Sequence, residues 1–425
     1  MGIPSEGVRM DTGDTAWVLT SAALVLLMTP GLALFYGGMV RTKSVLNMMM
    51  MSFSSMAIIV VLWVLYGYSL AFGNDVGGGL LGDPTDYAGL KGIINEVGTI
   101  PTLAFVGFQA VFAIITVALI SGAIADRAKF STWAVFTVIW ATLVYFPVAH
   151  WVFDFNEDSG GWIATHLQAV DFAGGTAVHI NAGAAGLALA LVLGKRVGWK
   201  RDPMRPHNLP FVLLGAGLLW FGWFGFNAGS AVGANGLAGL AFVNTAVATA
   251  AAIIGWIAVE FFRDKKGTSL GAASGAVAGL VAITPAAGAL SPFGSIFLGL
   301  VAGVLCAMAV GLKYKLGYDD SLDVVGVHLV GGLVGTLLIG LLAVGDGLFY
   351  GGSLSLLGKQ FVAAFAVLAY SFILTYAIGK LIDVTIGFRV SEEDEVTGID
   401  QVEHLETAYD YAGGSAGGSN LLKEL

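Results

Sequence analysis

The sequence predicts an all-α polytopic membrane protein in which eleven helices cross the bilayer. Hydrophobic residues make up 56% of the 425 residues, charged residues only 12%, and the mean hydropathy is +0.82. This composition is typical of an integral membrane protein rather than of a soluble domain. Long apolar runs recur along the chain, and two distant stretches share one pattern of Asp, His and Gly. Together these observations predict an inverted repeat of five plus five helices, followed by an eleventh helix.

The apolar runs are the basis of the helix count. A helix needs about 20 residues to cross about 30 Å of hydrocarbon, and each run is about that long or longer. The first run is not preceded by the basic segment of a signal peptide, so we expect it to be retained. The runs lie near residues 15–40, 44–72, 99–123, 130–151, 172–194, 208–230, 238–262, 268–288, 293–313, 322–343 and 355–383.

The distribution of Lys and Arg predicts the orientation of the chain. The loops after the odd-numbered spans up to the ninth contain 14 of the 20 basic residues, whereas Arg9, Lys91 and Lys359 lie at or near the opposite side. By the positive-inside rule, the N-terminus is outside and the C-terminus is cytoplasmic. We therefore expect residues 1–388 to form a membrane domain and residues 389–425 to form a cytoplasmic tail that ends in a linker-like Gly/Ser run.

The shared pattern predicts how the spans are related. In each stretch an Asp is followed eight residues later by a His, and glycines follow four and seven residues after the His. The stretches run over residues 171–186, in the fifth span, and 320–335, in the tenth. The repeat unit would therefore be five helices, and an odd number inverts the second copy in the membrane. Inverted repeats are typical of transporters and channels, whose pathway lies at the repeat interface near the midplane.

The two histidines are the main chemical groups within the apolar spans. Burying His179 and His328 is costly, and the repeat axis would bring them face to face. Two neutral imidazoles can share a hydrogen bond, contact a small polar species or pass a proton. The alternative is that each only bonds one helix to another. Asp171 is expected to cap the start of the fifth span and to add negative charge there.

Aromatic residues accompany these spans. Phe108 and Phe112 lie four residues apart on one face of the third span, as Phe226 and Ser230 do at the end of the sixth, and Phe153 ends the fourth. Aromatic residues at this spacing are typical of core packing. Alternatively, their faces could offset the partial dehydration of a cation by about 1–2 kcal/mol, with the Ser230 hydroxyl accepting a hydrogen bond from it.

Three stretches resemble the ammonium transporter (Amt/MEP/Rh) family, in its Amt branch. They are Asp171-Phe-Ala-Gly-Gly-Thr-Ala-Val-His179, Trp223-Phe-Gly-Phe-Asn-Ala-Gly-Ser230 and Asp320-Ser-Leu-Asp-Val-Val-Gly-Val-His328. The resemblance covers all eleven spans and part of the tail. It implies a homotrimer in the cell (inner) membrane with one pore per protomer, and no cofactor, enzymatic activity or nucleic-acid partner is expected.

The resemblance also implies roles for single residues. The matched positions are His179 and His328 for the twin histidines of the pore, Phe112 and Phe226 for its stacked gate, and Phe108 and Ser230 for its external ammonium site. Bacterial members add a Trp to that site from a His-x-Val-Trp motif. Here the stretch is His150-Trp-Val-Phe153, so Phe153 stands where Trp is expected. We expect external binding to be weaker or altered.

The resemblance implies electrogenic uptake of ammonium. The ion would be recruited at Phe108, Phe153 and Ser230 and deprotonated near the Phe pair. Ammonia would then pass the histidines while the proton moves separately. The residues alone agree equally well with neutral conduction of ammonia.

The alternative hypothesis is an ammonium sensor that binds the ion without conducting it and signals through its tail to a partner. Three features favour it: Phe153, the tail motif Glu403-His404-Leu405 in place of the family's Glu-His-Gly, and the linker-like run at residues 413–419. The resemblance further implies that a trimeric PII (GlnK-like) signalling protein docks on the cytoplasmic face.

Overall fold

The computed structural model describes residues 9–93, 96–157 and 159–409. Within these ranges an apolar helical segment lies at each predicted span. In chain order they are α1 (Thr12–Met39), α2 (Thr42–Phe72), α3 (Thr102–Ile124), α4 (Phe130–Phe153), α5 (Gly175–Leu193), α6 (Leu209–Gly229), α7 (Gly236–Asp264), α8 (Ser269–Ile283), α9 (Pro292–Leu316), α10 (Val325–Leu342) and α11 (Leu354–Thr385). A multi-pass helical membrane fold is therefore confirmed.

Helix α8 differs from the others in length. In the described part of the chain, ten helices are long and apolar enough to cross a membrane, whereas α8 has 15 residues. A helix of that length rises about 22 Å, which is short of the hydrocarbon thickness. The count of eleven spans and the orientation of the termini therefore remain predictions.

Shorter elements complete the described structure. A small antiparallel hairpin precedes α3, and two short helices follow α11. These elements are a turn at Ala88–Leu90, strands β1 (Glu96–Val97) and β2 (Ile100–Pro101), helical turns at Trp162–Leu167 and Leu348–Tyr350, and helices α12 (Glu392–Thr397) and α13 (Ile399–His404).

Helices α5 and α10 both begin with a wide π-helical turn. Gly175–Ile180 opens α5 and contains His179, while Val325–Leu329 opens α10 and contains His328. π-Helical turns are rare in proteins and are frequent at functional sites. The two stretches that share a sequence pattern thus also share a backbone conformation, which their spacing did not predict.

The Asp of each stretch binds the start of its own helix. Asp171 accepts hydrogen bonds from the backbone N–H groups of Gly174 (2.8 Å), Gly175 (2.6 Å) and Thr176 (2.7 Å). In the same way, Asp320 accepts hydrogen bonds from the backbone N–H groups of Val324 (3.1 Å) and Val325 (2.7 Å). Helix α5 begins later than predicted, so Gly174 is the N-cap residue and the Asp171 carboxylate reaches the helix end from upstream.

The glycines four residues after each His let α5 and α10 approach closely. A Cβ atom on Gly183 would lie 2.5 Å from the backbone nitrogen of Leu329, the residue after His328. A Cβ atom on Gly332 would lie 3.0 Å from the Ile180 side chain and 3.2 Å from the Cβ of His179. The contact is reciprocal, because each glycine faces the histidine turn of the other helix.

Buried ion pairs join the loops on the basic side of the molecule. Arg196, at the end of α5, binds Asp319 (2.9 Å) and Asp126 (3.1 Å), and all three side chains are buried. Glu395 of α12 accepts from Arg389 at 2.7 Å and lies 3.4 Å from Arg41. The tail is therefore packed against this side as far as residue 409, while the linker-like run at 413–419 lies outside the described residues.

Candidate functional site

His179 and His328 meet in the interior of the helix bundle. Their Nδ1 atoms are 3.3 Å apart, and their rings are 5.4 Å apart with 23° between the planes. Both side chains are buried, and His179 also stacks on Trp223 at 5.3 Å. In a hydrogen bond between two Nδ1 atoms, one ring donates its proton and the other accepts it. The pair can therefore hold one proton between the two helices.

Two phenylalanines lie next to this pair. The rings of Phe112 in α3 and Phe226 in α6 are 4.2 Å apart and inclined by 33°. Phe226 in turn stacks on His179 at 6.1 Å with 26° between the planes. Phe112, Phe226, His179 and His328 thus form a continuous column of rings through the bundle.

A cavity of about 780 Å³ opens on the side of the Phe pair away from the histidines. Phe108, Phe112, Phe153 and Ser230 all line it, so four of the residues predicted for the external site and gate lie together. Among its described lining residues the charged ones are acidic, and none is Lys or Arg. Aromatic faces, a hydroxyl and carboxylates suit a small cation.

A second, very small cavity lies beyond the Phe pair. It has a volume of about 10 Å³ and is lined by Phe226, His179, His328, Trp223, Phe35 and aliphatic side chains. That is close to the ~10–15 Å³ that one water molecule needs. Phe112 lines only the outer cavity and Phe226 only the inner one, so their rings separate the two spaces.

The substitution at the end of α4 changes the wall of the outer cavity. Phe153 lies on the cavity, with its ring 6.2 Å from that of Phe112. Trp151 points away from it, since its indole N–H donates to the carbonyl of Leu80 at 2.8 Å. Burial raises the pKa of the neighbouring Asp154, against the opposing effects of its backbone hydrogen bond and of a nearby histidine.

Asp171 lies apart from both cavities. It is not among the described residues that line either of them, and its carboxylate is directed at the start of α5. The structure therefore brings together seven of the eight predicted site residues, either on the outer cavity or in the column of rings. The Asp171 carboxylate contacts the start of the helix that carries His179, and the next residue, Phe172, lines the outer cavity.

Sequence reasoning missed several polar groups at the site. Gln109 lines the outer cavity, and its buried carbonyl oxygen has no hydrogen-bond partner in the described structure. A Gln between two Phe residues of an apolar span was a signal that could have found it. Asp14 also lines the cavity, but its place in the polar N-terminal segment gave no such signal. The indole N–H of Trp223 donates to Thr284 at 2.8 Å, which fixes the ring against which His179 stacks.

Comparison with known proteins places this arrangement in a family. Residues 16–409 match the model of the Ammonium Transporter Family. The chain is 60% identical to the ammonium transporter of Mycobacterium tuberculosis over 445 aligned residues, which cover 97% of this chain and 92% of the relative. It is 51% identical to the ammonium transporter of Bacillus subtilis, over 94% of this chain and 99% of that one.

Solved structures agree with the sequence comparison. Mep2 of Candida albicans superposes with a TM-score of 0.83 at 35% identity, over 91% of this chain and 88% of that one. A protein described as a sensor Amt protein superposes with a TM-score of 0.86 at 29% identity, over 92% and 98% of the two chains. The family consists of transporters and not of enzymes, and this chain belongs to the ammonium transporter family.

Proposed function

We propose that the protein carries ammonium across a cell membrane by binding NH4+ in the outer cavity, removing its proton at the Phe112–Phe226 pair and passing NH3 along the histidines. The observation that carries this proposal is the separation of two unlike cavities by one pair of rings. The outer cavity is large, aromatic and acidic, whereas the inner one is minute and, among its described lining residues, has no ionisable group besides the two neutral imidazoles. An ion suits the first space and a small neutral molecule the second.

Recruitment uses three kinds of group on the wall of the outer cavity. Phe108 and Phe153 offer ring faces, and a cation over such a face gains about 0.5–2 kcal/mol. The Ser230 hydroxyl donates its proton to the carbonyl of Phe226 at 2.8 Å, so its oxygen lone pairs remain to accept from NH4+. The unpartnered carbonyl oxygen of Gln109 supplies a further acceptor.

Deprotonation follows from the size and lining of the inner cavity. An ion that enters a nearly dry, apolar space loses its hydration, which costs several kcal/mol unless new partners replace it. Two neutral imidazoles and an indole replace few of those contacts. The ion therefore gives its proton to water at the Phe112–Phe226 pair, from which the proton enters the histidine route, and ammonia crosses as a neutral molecule with the size of one water.

The proton takes a separate route along the histidine pair in this proposal. The Nδ1 atoms of His179 and His328 are 3.3 Å apart, which allows transfer from ring to ring after reorientation of neighbouring water or ammonia. Transport is then electrogenic although the pore conducts a neutral molecule. If the histidines do not move the proton, the same pore conducts ammonia alone.

One experiment separates these outcomes. Proteoliposomes carrying a pH dye are adsorbed to an electrode, and an ammonium gradient is applied while current and internal pH are recorded together. Electrogenic uptake gives a current with little internal alkalinisation, and neutral conduction gives alkalinisation without current. Replacing both His179 and His328 by Ala should abolish the current. A full current in that double variant, or neither signal in the wild type, would contradict the proposal.

An ammonium sensor is the second candidate. Phe153 in the place of Trp, Leu405 in the place of Gly and the likeness to a sensor Amt protein favour it. A sensor binds NH4+ in the outer cavity without conducting it. Growth of an ammonium-uptake-deficient strain on low ammonium, supported by this chain, would exclude a pure sensor.

We further propose a homotrimer with a pore in each protomer, eleven spans, an outer N-terminus and a cytoplasmic tail that begins at residue 389. A PII protein would dock on the basic side, where α12 and α13 lie beside the loops that contain Arg41 and Arg196. Native mass spectrometry tests the trimer. Pull-down with the organism's PII protein, with and without residues 389–425, tests the docking site.

A further inference from the structure

We propose that Asp14 is a positioning residue of the outer cation site, where it holds the segment that carries Ser230 in place. The inference rests on the proposed binding of ammonium at Ser230. Asp14 lies in the first turn of α1, far from Ser230 in sequence, and it lines the same outer cavity. No sequence motif connects the two residues, and only the fold brings them together.

The carboxylate of Asp14 joins three outer segments. One oxygen accepts a hydrogen bond from the backbone N–H of Ala234 at 2.7 Å, in the loop that follows Ser230. The other accepts from the hydroxyl of Thr99, in the turn between β1 and β2. Both partners belong to segments that border the cavity, since Thr99 and Ser230 line it as well. One side chain thus ties the start of α1 to both.

A second bond from α1 holds the other end of the Ser230 segment. The indole N–H of Trp17 donates to the carbonyl of Ala228 at 3.1 Å. Trp17 lies one helical turn after Asp14, so the two side chains lie on the same face of α1. Between them they fix residues 228 and 234, and Ser230 lies within this bracket.

The bracketed segment carries backbone strain, which explains why it needs these bonds. Val232 has a φ of +52°, in the left-handed region that β-branched residues rarely adopt. Such a conformation costs on the order of 1–3 kcal/mol and persists only where the surroundings enforce it. Val232 also lines the outer cavity. Without the Asp14–Ala234 bond, we expect the segment to relax and the Ser230 hydroxyl to leave its place.

The neighbouring Asp11 supplies a matched control. It is an acidic residue at the same helix end and caps α1 by accepting from the N–H of Asp14 at 2.9 Å. It does not line the outer cavity and has no side-chain bond to the Ser230 segment among the described contacts. Asp11→Asn removes the same charge near the cavity and retains a good N-cap.

The test measures the ammonium concentration for half-maximal current in Asp14→Ala, Asp14→Asn, Asp11→Asn, Ser230→Ala and the double variant Asp14→Ala with Ser230→Ala. We expect Asp14→Ala to raise this concentration about tenfold, as for loss of one hydrogen bond at the site, with the maximal current within about twofold of wild type. Asp14→Asn keeps an oxygen acceptor for Ala234 and should have a smaller effect. Asp11→Asn should match the wild type.

The double variant decides whether Asp14 acts through Ser230. If it does, the half-maximal ammonium concentration of the double variant should be less than about twofold above that of Ser230→Ala, because Asp14 has no further effect once the Ser230 hydroxyl is gone. A fold-change of the double variant that equals the product of the two single fold-changes would overturn the inference. So would an unchanged half-maximal concentration in Asp14→Ala, or equal effects of Asp14→Asn and Asp14→Ala, which would assign the effect to charge.

A binding measurement keeps the inference separate from the proposed transport. Ammonium chloride raises the melting temperature of a protein that binds it, relative to equal sodium chloride, and the midpoint of that rise gives an apparent affinity. If the wild type carries no current but its melting temperature rises with ammonium, the proposed transport is wrong. A smaller rise in Asp14→Ala would then still support the role of Asp14. If the wild type shows no ammonium-specific shift, both proposals are overturned. The melting temperature of each variant without ammonium, compared with that of the wild type, reports whether the variant has folded.

Discussion

Gly183 of α5 packs against the backbone of Leu329 in α10, so that an added Cβ atom would lie only 2.5 Å from the Leu329 nitrogen. Leu329 directly follows His328, and His179 lies four residues before Gly183. The close approach of the two helices is therefore set immediately beside the histidine pair. The distance between the Nδ1 atoms depends on the absence of a side chain at this glycine.

Gly183→Ala should push the two helices apart and separate the histidines. Nothing at the contact is flexible, because the nearest atom is backbone, so we expect a loss of about 1–3 kcal/mol in stability and of most ammonium-dependent current. Thermal unfolding in detergent and current measurements check these outcomes. Gly217→Ala is the control, since no described atom outside its own helix turn lies within 4 Å of the added Cβ, and this variant should retain wild-type stability and current. An active, stable Gly183→Ala protein would show that the histidine geometry tolerates a shift.

Phe153→Trp should strengthen ammonium binding in the outer cavity. Trp is the best aromatic partner for a cation, and the ring faces a cavity of about 780 Å³ with room for the larger side chain. We expect the half-maximal ammonium concentration to fall by about two- to fivefold, a gain of roughly 0.5–1 kcal/mol. Phe155→Trp, on the exposed rim of the same cavity, is the control and should change little. A weaker affinity in Phe153→Trp would mean that the site is built around Phe.

Asp319→Asn should destabilise the basic side of the molecule. Arg196 donates to both oxygens of Asp319, and the change leaves a buried guanidinium with Asp126 as its remaining carboxylate partner. Removing one partner of a buried ion pair costs about 3–5 kcal/mol, and the bond to Asp126 should reduce that figure. Thermal unfolding in detergent measures the loss. Asp264→Asn, which breaks the exposed pair with Arg263, should cost at most about 1 kcal/mol.

The same ion pair predicts how stability varies with pH. Burial alone would raise the pKa of Asp319, but the hydrogen bonds and charge of Arg196 outweigh burial and lower it below 3.8. Because the pKa of Asp319 is lower in the folded state, the stability that its ionised form contributes is fully present above the unfolded-state pKa, near 3.8. This stability is lost as the pH falls through the folded-state pKa. The difference in melting temperature between wild type and Asp319→Asn should therefore be constant from pH 5 to 7 and narrow below about pH 4. A difference that grows on acidification would contradict this assignment.

The helices and the pairing of the histidines could be predicted from sequence because both depend on local or periodic signals. Hydropathy located every apolar helix, and the shared spacing of Asp, His and Gly placed His179 opposite His328. The π-helical turns could not be predicted, since the hydropathy of a span does not distinguish a π-helical turn from an α-helical one. Asp14 and Trp17 were missed for a related reason. Their partners beside Ser230 lie more than 200 residues away, and only the fold brings them together.

Asp400→Ala should release the tail from the membrane domain. The Asp400 carboxylate, in α13, accepts from the backbone N–H groups of Leu46 (3.0 Å) and Asn47 (2.8 Å) near the start of α2, and His404 bonds to the Asn47 side chain at 3.0 Å. An acidic side chain on free N–H groups at a helix start is worth about 0.5–2 kcal/mol.

We expect faster hydrogen exchange at residues 399–404 and at the start of α2 in Asp400→Ala, measured by mass spectrometry of the whole protein. Glu393→Ala, an exposed acidic residue of α12, is the control and should exchange like the wild type. Because the Arg389–Glu395 bond remains in Asp400→Ala, release should stop at α12. Unchanged exchange in α13 would mean that Glu395, and not Asp400, holds the tail in place. If Asp400→Ala releases the tail and also changes the ammonium-dependent current, the position of the tail controls the pore. A transporter that is regulated through its tail requires such control.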